Sequence, residues 1–297
     1  MSISGVLLFL PLLGLCSGQT VQLNCDQVPG ALKQIDAGNG QVVGVNANEN
    51  IYTLYSGRWT QIPGSLSHIS VGPGGLWGVN RNNNIYKLVG ADWVLTDARR
   101  SHKTNGFNTK DTMGGGSFSV YYFQLTSHLL FFILFPGLLK QIDAGGAQFI
   151  SGANMNDDIF CLPEQATVSA KDGSALPWNN IAGKLKYYSC NTNSCWGVNS
   201  ADDIFYRFSV TPSSCSGSRW QQVEGKLAMI EVGSDGSVFG VNSVGDAYQR
   251  NGITASNPIG TSWSQLKYKA HKFSHLSYDL GLLWILTKDQ MILRCKL

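Results

Sequence analysis

Five asparagines recur in one setting along the chain. Asn46, Asn80, Asn154, Asn199 and Asn242 each end a Gly-x-Asn tripeptide, and a tryptophan follows each one: Trp59, Trp93, Trp178, Trp220 and Trp263. A planar amide can fork hydrogen bonds onto neighbouring hydroxyls, and an indole can cover the C–H face of a sugar ring. Both residue types also have a purely structural use. Asn at a turn ordinarily satisfies backbone amides, and a Trp that returns once per repeat ordinarily packs one unit against the next. The candidate carbohydrate-binding set is therefore Asn46, Asn80, Asn154, Asn199 and Asn242, with Trp59 and Trp220 as covering rings.

Reactive chemistry is harder to assemble. The histidines are His68, His102, His128, His271 and His275, and none falls in a nucleophile–base motif. His271 and His275 are four apart, but in a strand-and-loop context that spacing does not define a helix face. No catalytic residue and no enzyme activity is expected. The pairs Asp157-Asp158 and Asp202-Asp203 follow the repeat into turns and match no calcium loop. No cofactor is implied, and a calcium role for those turns stays open. Asp36 and Asp143 read as turn caps.

The elements that must carry these residues repeat with them. After each Asn comes a polar residue, usually an Ile, then an aromatic, as in Asn50-Ile51-Tyr52, Asp158-Ile159-Phe160 and Asp203-Ile204-Phe205. Upstream lies a Leu-led strand such as Leu32-Lys33-Gln34-Ile35-Asp36. Downstream the Trp opens W-x-x-[IV]-x-G-x-L, seen from Trp59 to Leu66, Trp178 to Leu185 and Trp220 to Leu227. Four short strands every ~40 residues make one propeller blade. A degenerate copy, Trp284-Ile285-Leu286-Thr287, makes six. The expected fold is all-β, a six-bladed β-propeller with repeats at 27–61, 62–95, 136–180, 181–222, 223–265 and 266–297, and with an N-terminal strand at 21–28.

Composition agrees. The chain has 297 residues, 34 of them Gly, with 14% charged and 43% hydrophobic residues. Charge is well below the usual ~25% and glycine well above the usual ~7%. Eight Trp exclude disorder, and a net charge of +3 without a basic stripe speaks against nucleic-acid binding. Residues 1–18 read as a signal peptide, with Cys16-Ser17-Gly18 as the cleavage site. Outside it six cysteines remain, an even number that implies disulfides with fifteen connectivities open. Secretion to the extracellular space follows.

One segment breaks the repeat. The second and third copies are separated by about forty extra residues, 96–135, ending in Leu129-Leu130-Phe131-Phe132-Ile133-Leu134-Phe135. The run is too short and interrupted for a stable membrane insertion. A Phe/Leu-rich tract before Pro136-Gly137 reads as a translated splice-acceptor region, so the insert is taken as a retained intron. A surface loop is the alternative.

The strings Leu138-Leu139-Lys140-Gln141-Ile142-Asp143-Ala144-Gly145-Gly146, Tyr187-Tyr188-Ser189-Cys190, Cys195-Trp196-Gly197-Val198-Asn199 and Gly252-Ile253-Thr254-Ala255-Ser256 resemble the fish-egg lectins of the tectonin family. The resemblance implies a secreted tectonin propeller that binds N-acetylglucosamine, galactose or bacterial lipopolysaccharide, acting in eggs and in innate immune recognition. A protein-binding scaffold of the egg is the competing expectation, and oligomers stay open. The insert departs from the family pattern. So does the last copy, where Tyr268 stands in place of Gly and Lys267, Lys269 and Lys272 add charge. For such a ring, the N-terminal strand is expected to complete blade six, stapled by Cys25–Cys295. Closing so long a loop is worth roughly 4–5 kcal/mol on the chain-entropy model. Cys190–Cys195 can pair across a hairpin, and Cys161–Cys215 is left by elimination.

Overall fold

Runs of apolar residues too short for helices, cut by Gly, Asn and Asp turns, have one stable outcome: small antiparallel sheets that bury both faces on each other. The computed structural model describes residues 19–90, 121–125, 128–170 and 175–297. They form six sheets in sequence order around a ring, a six-bladed β-propeller. Blade one is Gln34–Gly38, Gln41–Val45, Ile51–Tyr55 and Arg58–Ile62, each strand antiparallel to the next. Blade three spans Gln141–Asp143 to Asn179–Lys184, and blade four Tyr187–Cys190 to Trp220–Lys226. Blade five runs from Met229–Val232 to Ser262–Lys267, and Thr20–Gln22 adds a parallel strand at its outer edge. Blade six takes Phe273–Asp279, Leu282–Thr287 and Met291–Lys296 from the C-terminus and Asn24–Ala31 from the N-terminus.

Apolar side chains fill the wedges between blades. Val43, Val45, Ile51 and Ile62 of blade one pack with Leu66, Ile69 and Val71 of blade two, all buried. A second bond joins every pair of neighbours. The carbonyl of the turn residue after each second strand accepts the amide that opens the next blade: Glu49 from Leu66, Asn83 from Leu139, Asp157 from Leu185, Asp202 from Leu227 and Gly245 from Phe273. Gln290 accepts from Leu32 and so closes the ring. All six acceptors have left-handed φ, between 62° and 91°, which suits Gly, Asn and Asp and explains their recurrence there.

Three disulfides are formed. Cys25–Cys295 joins directly opposed residues of the two chain ends in blade six. Cys190–Cys195 closes the first hairpin of blade four, and Cys161–Cys215 ties the third blade to the long loop of the fourth. The segment expected to be a signal peptide, Trp93 and, within the insert, residues 96–120 and 126–127 lie outside the described residues.

The second blade takes its outer strand from the far end of the extra segment. Its outer strand is His128–Leu138, paired to Asn84–Gly90, and Tyr121–Leu125 adds a fifth strand beyond it. Phe135 faces Ile85 as Ile62 faces Ile51, and Gly137 has a φ of 127° against 118° for Gly64. Residues 128–135, assigned to the insert by the repeat alignment, thus fill the place expected for the Trp93 segment. The buried wedge wants a large apolar residue, and Phe135 supplies it, stacked on Trp77 at 5.3 Å between ring centroids.

Candidate functional site: sockets between blades

The five asparagines first serve their turns. Asn46 Oδ1 accepts the amides of Asn48 and Asn50. Asn80, Asn154 and Asn199 repeat the pattern two and four residues on, and Asn242 accepts from Asp246. In blade six Thr287 does the same, its hydroxyl accepting from Met291. The side-chain oxygen is therefore structural throughout, and only Nδ2 is left for a ligand.

The tryptophans sit at the blade junctions. The glycine of W-x-x-[IV]-x-G, and Gly30 at the same position of the N-terminal strand, sit at left-handed φ under the Trp of the next blade. A Cβ built on Gly30 would meet Trp59 at 3.4 Å, and one on Gly225 would meet Trp263 Nε1 at 3.2 Å. Trp220 Nε1 donates to Ala182 O at 2.6 Å and Trp263 Nε1 to Glu224 O at 2.8 Å. In blades four and five a buried arginine also lies against the ring: Arg207 on Trp220 at 4.8 Å and Arg250 on Trp263 at 5.1 Å. Trp59, Trp178, Trp220 and Trp263 all remain partly exposed, so packing and ligand contact are compatible.

Asn, aromatic and Trp meet in two equivalent hollows. One, of about 320 Å³, lies between blades six and one and is lined by Gly30, Leu32, Asn46, Tyr52, Trp59 and Ile292. The other, of about 290 Å³, lies between blades four and five and is lined by Gly225, Leu227, Asn242, Tyr248, Trp263 and Ile204. Each residue of one occupies the same repeat position as its counterpart in the other. Tyr52 and Tyr248 were absent from the sequence candidates, although an aromatic recurs at that position in the five aligned copies, after Ile in four and after Ala247 in the fifth.

A different cluster lines the ring axis. Innermost strands alternate acid and serine around the six blades: Asp36, Ser70, Asp143, Ser189, Glu231 and Ser277, all buried. Asp36 accepts from Ser70 Oγ, Val71 N and Ser277 Oγ at 2.9, 2.6 and 2.9 Å. Glu231 accepts from Tyr187 at 2.6 Å and Ser189 at 2.9 Å. The serines in turn accept amides from the blade that follows: Ser70 from Ala144, Ser189 from Val232 and Ser277 from Ala37. Asp36 and Asp143 are therefore axial bridges and not turn caps. One layer away, His68, Tyr187 and His275 from blades two, four and six bring their rings within 5.8–6.3 Å of one another. His275 Nε2 lies 3.1 Å from the Tyr187 hydroxyl.

Burial sets the charge of this axis. Desolvation raises Asp36 to about 6 against four hydrogen bonds that oppose it. Desolvation and the nearby Asp36 raise Asp143 to about 8. Glu231 is raised well above the usual carboxylate range by burial and both aspartates. Burial lowers His68 to about 3 and His275 to about 4, so both are neutral. A hollow of about 380 Å³ opens over the acids, lined by Asp36, Asp143, Glu231, Asn39, Thr192 and Asp279 among others. Among the described residues, no group of three or more His, Cys, Asp or Glu is placed to hold a metal ion. Nor is any helix there long and apolar enough to cross a membrane.

Six blades, four of them four-stranded and two five-stranded, define a repeat-built propeller with Trp at its junctions. The tectonin-domain family model matches residues 31–104 and 114–288, and the chain belongs to the tectonin family. It is 44% identical over 156 residues to the fish-egg lectin of Cyprinus carpio, a match covering 52% of this chain and 65% of that protein. Solved propellers align at far lower identity. U3-55K gives a TM-score of 0.51 at 8% identity over 92% of this chain and 98% of its own. Virginiamycin B lyase from Staphylococcus aureus gives 0.51 at 12% over 93% and 99%. At such identities the likeness is one of fold alone.

Proposed function

We propose that the protein is a secreted, multivalent carbohydrate-binding lectin that recognises terminal sugars, N-acetylglucosamine or galactose, on glycans and bacterial lipopolysaccharide. Its setting would be the egg or innate immune recognition of microbes. The observation that carries this reading is the inter-blade hollow in which an amide, a tyrosine and a tryptophan converge. The fish-egg lectin relative supports it, and so do three disulfides, which belong to an oxidising compartment. The apolar ring faces suit sugar C–H groups, and the amide suits a ring hydroxyl or an acetamido oxygen. One such shallow site holds a monosaccharide at about millimolar strength. Two or more on a rigid ring gain roughly 10²–10⁴ on a repetitive surface, so agglutination of bacteria is expected.

A glycan array and immobilised lipopolysaccharide test the reading, each with free monosaccharide, chelator or high salt added. Release by monosaccharide supports a lectin. Release by salt alone points to the basic segment, where Lys267 and Lys269 are exposed and Lys272 is already paired with Asp246. Failure to bind any glycan defeats the lectin and leaves the protein-binding scaffold.

A further inference from the structure

Aligned repeats suggest equal sockets, but hydrogen bonding divides them into two kinds. In blades two, three and four the Asn Nδ2 is already used. Asn80 donates to the Tyr86 hydroxyl at 3.3 Å. Asn154 donates to Asp158 and Asn199 to Asp203, both at 3.1 Å. Those two aspartates are also held by Lys184 and Lys226, so each turn ends in a closed Asn–Asp–Lys chain. The aromatic beside them is Phe160 or Phe205, which offers no hydroxyl.

Blades one and five differ at every one of these points. Among the described residues, Asn46 Nδ2 and Asn242 Nδ2 have no hydrogen-bond partner. Position 50 is Asn, and the Asp246 carboxylate is held by Lys272, so that only the Asp246 backbone is bonded to Asn242. The aromatic is Tyr52 or Tyr248, with its hydroxyl uncommitted. These two turns are also the ones that line the hollows of about 320 and 290 Å³. A free donor, a free hydroxyl and an open volume coincide twice, two blades apart on the ring.

We propose that the propeller is bivalent, with sugar sites at the junctions of blades six with one and four with five, and that Asn46 with Tyr52 and Asn242 with Tyr248 select the ligand. This rests on the glycan-binding reading above and narrows it. The free amide donates to a ligand oxygen, an acetamido carbonyl or a ring hydroxyl. The tyrosine hydroxyl donates to or accepts from the next one, and Trp59 or Trp263 flanks the C–H face. A ligand at the turns of blades three and four must first break a bond between an amide and an ion-paired carboxylate, and at blade two the bond from Asn80 to the Tyr86 hydroxyl, which leaves little net gain.

Calorimetric titration of the full chain with N-acetylglucosamine and with galactose counts the sites. Two sites per chain are expected. Asn46→Asp keeps the turn's acceptor and removes the donor, and it should leave one site. Asn46→Asp with Asn242→Asp should leave none. Tyr52→Phe with Tyr248→Phe, which copies the closed turns and spares the backbone, should weaken both sites about tenfold. More than two sites, or two sites persisting in the double Asn variant, overturns the inference while the lectin stands. No binding of any sugar by the folded wild-type protein overturns both.

Discussion

Asn154 has both its amide atoms tied into a turn, with Asn156 and Asp158 donating to its oxygen. Asn154→Ala should therefore lower stability by about 1–2 kcal/mol, two hydrogen bonds at their usual net worth, read as a shift in urea midpoint. The axial acids make a prediction of a different kind. A carboxyl whose folded pKa is raised stabilises fully below its unfolded pKa, and that contribution drains away as pH climbs to the folded value. For Asp36 the window runs from the ordinary 3.8 to about 6, and for Asp143 from 3.8 to about 8. His68 and His275, lowered to about 3 and 4, act oppositely: their contribution is present above 6.5 and is lost as pH falls. Between pH 4 and 6.5 the two effects offset. From pH 6.5 to 8 only the acids titrate, so stability should fall by up to about 1.4 kcal/mol per pH unit for each acid still holding its extra proton. Asp143→Asn should flatten that slope in a pH series of melting temperatures, and a slope that survives the change would place the titration elsewhere.

At the scale of strands, closure is the vulnerable step. Blade six borrows Asn24–Ala31 from the other end of the chain, and Cys25–Cys295 spans 270 residues. Cys25→Ser with Cys295→Ser should cost about 5–6 kcal/mol on the chain-entropy model, and limited proteolysis should then cut first at the N-terminal strand. The junction glycines are the second weak point. Gly183 combines a φ of 124° with a Cβ position 3.1 Å from Trp220 Nε1, so Gly183→Val should cost about 1–3 kcal/mol and loosen the neighbouring blade. Both features were legible as sequence because they repeat: W-x-x-[IV]-x-G shows in three copies, and the terminal cysteines bracket the ring. The axial acids were not legible in the same way. Asp36 and Asp143 sit two residues before a Gly, which looks like a turn. Only the alternation Asp, Ser, Asp, Ser, Glu, Ser across aligned first strands marks them as partners across the axis, a relation between blades that no single repeat carries.

For the whole ring, the second blade decides whether the extra segment belongs to the fold. Its outer strand fills the wedge through Phe135, yet the sequence there also holds Trp93 and its neighbours, the residues that the repeat itself selects for that place. Both stretches suit one strand position by sequence, and spacing alone does not choose between them. Tyr121–Leu125 adds a further strand with no charged residue in it, the kind of edge that invites pairing between chains. Gly90 stands directly opposite Leu130 across the ladder, so the connection between them needs only a tight turn. Deleting 91–129 and joining Gly90 to Leu130 through Asn-Gly should leave a six-bladed propeller with its strand signal in circular dichroism unchanged. Both sugar-site junctions lie away from blade two and should bind as before. Soluble yield should rise, because the uncharged edge is gone. A deletion variant that unfolds would make residues 91–129 an integral part of the ring.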